Sequence, residues 1–113
     1  MRIDNREEEG VLILDLNGKL VIGEGDVALR EEVNSQLERG RKKLLLNLGG
    51  VKTMDSSGLG ELIRCKHSAA REDAIIKLLH VEDKVQEVLE MTRLIGVFET
   101  FNDEIDALAS FRG

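Results

Sequence analysis

The run KLLLNLGGVKTMDSSGLGELIRC, residues 43–65, joins an aliphatic segment, a glycine pair, a polar turn and the start of a helical pattern. Its first part, KLLLNL at 43–48, shows almost no apolar–polar alternation, the pattern of a strand covered on both faces. A central strand in a helix-covered sheet follows. From Leu59 onward, Leu62, Ile63, Cys65 and Ala69 recur at helical spacing, so a strand hands over to an amphipathic helix across the turn at 55–58.

Working outward, GVLILDLNG predicts a buried strand at 11–16, with RIDNREEE before it as an edge strand turned back through Glu9-Gly10. After NGKLVIGEGD, a strand end and then a loop punctuated by Gly18, Gly23 and Gly25, Asp26 is placed to cap a helix carrying Leu29, Val33 and Leu37, and Gly40 to end it. On the other side, AIIKLLHV at 74–81 reads as a strand and EDKVQEVLEMT as a helix bearing Val85, Val88, Leu89 and Thr92. VFETF at 97–101 reads as a last strand. Asn102 is the expected cap of a final helix, with Asp103 and Glu104 in its first turn and Ile105, Leu108 and Phe111 on its apolar side. The order ββαβαβαβα makes this an α/β chain with a mixed sheet: an antiparallel pair at the start, then parallel strands joined by helices.

The 113 residues suffice for one domain, 1–113, and three Phe with no Trp or Tyr require an aliphatic core. A formal charge of −6 argues against a nucleic-acid surface. The one basic cluster, Arg39, Arg41, Lys42 and Lys43, fits the end of a helix and its loop. Cys65 stands alone, so no intrachain disulfide is possible, and its place in a helical pattern makes it a packing residue. No apolar stretch approaches the length of a membrane span and the first residues lack a signal-like apolar core, so a cytoplasmic protein without membrane attachment is expected.

The polar turn MDSSG admits three readings. Asp55, Ser56 or Ser57 can each cap the helix by accepting from an unpaired backbone N–H. A nucleophilic serine would need a base, but neither serine sits in a G-x-S-x-G elbow. His67 lies about three turns along the helix, on the order of 15 Å away. His80 closes a neighbouring strand. No phosphate loop, metal-binding spacing or other cofactor motif is present, so neither catalysis nor a bound cofactor is expected. In the third reading, a serine just outside a helix start accepts a phosphate, adding about −1.5 to −2 charges beside Asp55 and Glu61 and changing a docking surface without refolding the chain.

LLLNLGGVKTMDSSGLGELI resembles the central block of the STAS domain (sulphate transporter and anti-sigma factor antagonist), where an apolar strand, a turn and the string D-S-S/T-G-L-G follow in this order. LNGKL near the second strand and VEDKVQEVLEMTRLIGVFETFNDEIDAL toward the end agree, so the resemblance spans nearly the whole chain. A chain of this size is most similar to the bacterial anti-sigma factor antagonists. The resemblance implies partner switching. The unphosphorylated protein binds an anti-sigma factor with serine/threonine kinase activity and frees a sigma factor; phosphorylation of Ser56 ends the complex; a PP2C-type phosphatase restores it. It further implies that Asp55 flanks the acceptor, that Ser57 is the helix cap, and that Gly58, Leu59 and Gly60 admit the partner to the helix start. The loop GEG at 23–25 is expected to shape partner choice. A monomer or weak dimer is expected. The alternative is a STAS scaffold subunit of a lipid-transport or stressosome-like assembly, with Ser56 serving only as a cap.

Overall fold

A computed structural model describes residues 1–93 and 95–112. Strands β1 (Arg2–Glu8) and β2 (Val11–Leu20) form an antiparallel hairpin. Its two-residue turn places Glu9 and Gly10 at φ 52° and 79°, the left-handed pair that matches the twist of a hairpin. There follow α1 (Gly25–Glu38), β3 (Lys43–Met54), α2 (Ser56–Arg71), β4 (Ile75–Leu79), α3 (Asp83–Met91), β5 (Thr100–Phe101) and α4 (Glu104–Ser110). The sheet order is β1-β2-β3-β4-β5, with every pair after the first parallel.

Because each parallel strand lies beside its predecessor, right-handed crossovers put α1, α2 and α3 on one face of the sheet. The core divides accordingly. Leu12, Leu14, Leu44, Leu46, Ile76 and Leu78 face the three helices, while Val11, Ile13, Leu45 and Leu79 face Ala107, Leu108 and Phe111 of α4. The unbroken aliphatic run of β3 has this cause: alternate residues enter different cores.

Several boundaries depart from the sequence pattern. β2 continues to Leu20 and β3 to Met54, past the points where Gly18 and the Gly49-Gly50 pair suggested breaks. Gly50 is needed within the strand because the Leu16 carbonyl oxygen, fixed in the β2 backbone, would lie 2.7 Å from a Cβ there, with Asn17 Oδ1 closer still. Asp26 does not cap α1: Glu24 holds the cap position without a side-chain bond, and Asp26 is buried in the first turn. The segment 97–101 is strand only at Thr100–Phe101, after a 3-10 turn at Ile95–Val97, and Phe98 enters the three-helix core. Asp103, not Asn102, occupies the cap position of α4, and Ile105 is 74% exposed, its expected core place taken by Ala107. Gly40 does end α1, with φ 84° and its N–H donating to Leu37 O. In the basic cluster, Arg41 pairs with Glu7 and Lys42 Nζ donates to the Glu72 carbonyl.

Candidate functional site

The end of β3 delivers the chain to the turn at 55–58 beside the end of β2. Asp55 is extended (φ −104°, ψ −175°) and caps α2: its Oδ1 accepts from Gly58 N at 2.9 Å. Ser57, the cap implied by the resemblance, lies inside the helix instead, because the carboxylate that precedes it already takes the free N–H. Asp55 Oδ2 accepts from Ile22 N at 3.1 Å, so one side chain ties the helix start to the β2–α1 loop. The N–H of Gly58, then that of Ile22, hold the Asp55 carboxyl below its ordinary value.

Three close approaches lock this corner around Leu20. Asp55 N donates to Leu20 O. A Cβ on Gly58 would stand 2.0 Å from Leu20 O, and one on Gly25 would stand 2.3 Å from Lys19 O. Gly60 differs, since a Cβ there meets nothing within 4 Å. Leu59 is buried in the core. Among the named site residues, then, Asp55, Gly58 and Leu59 hold the turn in place, while Ser56, Gly60 and part of Ser57 reach solvent.

Ser56 is the first residue of α2 and is exposed. Neither its hydroxyl nor that of Ser57 makes a hydrogen bond among the described residues. His67 is exposed farther along α2, and His80 follows β4 at φ 56°, its N–H donating to Phe101 O. Glu61 does not stand free in the first turn. It is 4% exposed and paired with Arg30 Nε of α1 at 2.9 Å and with Arg64 Nε of its own helix at 3.2 Å. The nearby acid that a phosphate on Ser56 would meet is therefore Asp55. Cys65 is buried, and burial first, then the Glu61 charge, push its thiol far above the ordinary value, so it stays protonated and donates to Glu61 Oε2 at 3.5 Å.

Residues 2–107 match the STAS domain model. The chain belongs to the STAS domain family. Among relatives of this STAS protein, the anti-sigma F factor antagonist of Paenibacillus polymyxa is 26% identical over 109 residues, 96% of this chain and 92% of that protein. A crystal structure from Thermotoga maritima, 25% identical, superposes with a TM-score of 0.89 over 98% of this chain and 95% of its own. The phosphorylated form of the Bacillus cell fate determinant SpoIIAA, 18% identical, shares the fold with a TM-score of 0.75 over 98% of this chain and all of that one (100%). No described helix of this STAS chain is long and apolar enough to cross a membrane.

The site residue that sequence pattern missed is Ile22. It falls in the glycine-punctuated stretch that follows the strand, where nothing marked it out, yet it is 69% exposed and bonded through its backbone N–H to the Asp55 carboxylate. The only sequence signal was its position between a strand and the glycines at 23 and 25.

Proposed function

We propose that this protein is an anti-sigma factor antagonist: unphosphorylated, it binds an anti-sigma factor with serine/threonine kinase activity and so frees a sigma factor. Phosphorylation of Ser56 ends that complex and a PP2C-type phosphatase reverses the modification. The whole chain acts as one domain in the cytoplasm. The relative from Paenibacillus polymyxa, matched over nearly its full length, supports the class of function.

The observation that carries the switch is the state of Ser56. It is exposed at the first position of α2, while Asp55 already supplies the cap, so its hydroxyl has no structural duty in the turn. A phosphate there adds about −1.5 to −2 charges. The helix N-terminus favours that charge and Asp55 opposes it, so the fold survives while a partner surface pressed against the helix start must bury an unpaired dianion. Ser57 and Gly60 border the acceptor; Gly58 and Leu59 fix the backbone that presents it.

Incubation with ATP and each purified anti-sigma kinase of the same cell, followed by mass spectrometry, tests this reading. Phosphate is expected on Ser56. Ser56→Ala should keep kinase binding and Ser56→Asp should lose at least about tenfold in affinity, which corresponds to about 1.4 kcal/mol. Ser56→Asp binding as tightly as wild type would show that charge at this position is no switch.

A further inference from the structure

Ile22, Ile75, Met91 and Ile105 are each more than half exposed, and Met91 ends α3, the helix that leads back from the Ser56 end of the sheet. Single exposed aliphatics are common and need no function. What separates Ile22 is its placement and its restraint. Ile75 starts β4 opposite Lys43, at the end of the parallel sheet remote from Ser56, and Ile105 lies on α4, across the sheet from α2. Ile22 stands at the Ser56 end, on the loop between β2 and α1, with its N–H held by the carboxylate of the residue preceding Ser56.

The loop itself is fixed. Val21 O accepts from both Glu24 N and Asp26 N at 3.3 Å, and Gly23 takes φ 79°, so the chain turns tightly behind Ile22 and pushes the side chain outward. Gly25 is pressed onto Lys19 and Leu20. A backbone held this way does not have to be ordered on docking, which removes one of the costs that weaken an apolar contact at an interface.

We infer that Ile22 is the apolar anchor of the docking surface whose polar half is Ser56, and that it fills an apolar pocket flanking the serine-accepting cleft of the kinase partner. The assignment rests on the function proposed above and names a determinant of partner choice that the acceptor motif does not contain. Acceptor and anchor keep a fixed spacing because the two hydrogen bonds of Asp55 span them. A kinase that accepts the motif but lacks a pocket at that spacing is rejected.

The test uses the full-length protein and the kinase that phosphorylates its Ser56. Affinity and kcat/KM for phosphorylation are measured for wild type, Ile22→Ser, Ile22→Leu and Ile75→Ser, with the unfolding midpoint of each. Ile22→Ser is expected to lose about tenfold or more in both quantities. Ile22→Leu should stay within about threefold, and Ile75→Ser should match wild type. A photo-crosslinker at position 22 should couple to the kinase, and one at position 75 should not. Should Ile22→Ser lower the unfolding midpoint, the crosslink and Ile22→Leu decide. Ile22→Ser equal to wild type, or position 22 crosslinking to a second copy of this chain, overturns the anchor and leaves the phosphorylation switch intact. A wild-type protein that no anti-sigma kinase binds or phosphorylates overturns both.

Discussion

Two glycines two residues apart in one motif face opposite constraints. At Gly58 a methyl group would drive into the Leu20 carbonyl at 2.0 Å, and that oxygen is backbone in a strand and cannot step aside. At Gly60 the same methyl group meets open space and merely removes backbone freedom from the unfolded chain. Gly58→Ala is therefore expected to destabilise the protein by about 2–3 kcal/mol or more through overpacking. Gly60→Ala should stabilise it by about 0.5–1 kcal/mol. Denaturant unfolding of the two variants side by side checks the pair; equal effects would mean that the corner around Leu20 is looser than its geometry implies. Asp55 gave the equivalent lesson among the polar residues. Its neighbours Ser56 and Ser57 are as capable of capping, and the choice among the three is made by the extended backbone at Asp55 and by the loop N–H that shares its carboxylate.

Between elements, a charged cluster fastens the hairpin and α4 to the sheet. Arg6 on β1 donates to Asp15 on β2 and to Glu104 on α4, and Asn47 on β3 donates to Asp15. Burial alone would raise the Asp15 carboxyl, but the bonds from Arg6 and Asn47 outweigh it and leave it below its ordinary 3.8; Arg6 likewise lowers Glu104 from 4.5. Both folded values are depressed, so this contribution is complete above the ordinary values and is lost as pH falls through the folded ones. Arg6→Leu should thus differ most from wild type above the ordinary carboxylate values, and the two urea midpoints should converge only as pH falls through the depressed folded values below them. A constant gap across that range would rule out linkage through Arg6. None of this cluster was legible in the pattern of apolar residues, because a polar residue's cross-strand and cross-layer partners depend on register. The strand and helix order was legible, since each β3 side chain at 44–46 and 48 enters one of two apolar cores. Ends failed where glycine was read as a break. Gly50 continues β3 because the backbone of Leu16 leaves no room for a side chain, and Ile105 faces solvent because Ala107, one residue off the expected stripe, packs instead.

At the scale of the molecule, a net charge of −6 raises the question of how one more negative group could act as a switch. Long-range repulsion is a poor candidate, because adding about two charges to six changes the field modestly and salt screens it beyond roughly 8 Å at physiological ionic strength. A local effect is stronger. Ser56 sits on a corner whose backbone is held by Asp55, Gly58 and Gly25, so under the proposed docking a charge there would be desolvated close to where it stands. Rigidity also means that the charge need not disturb the fold: Ser56 is exposed, and an acid at the first helical position meets the favourable end of the dipole. Ser56→Asp is accordingly expected to unfold within about 0.5 kcal/mol of wild type. Its loss of kinase affinity relative to wild type should persist when the salt concentration is raised to about 0.5 M, since contact desolvation is not screened. Recovery of wild-type affinity at high salt would instead assign the switch to the field of the whole acidic surface.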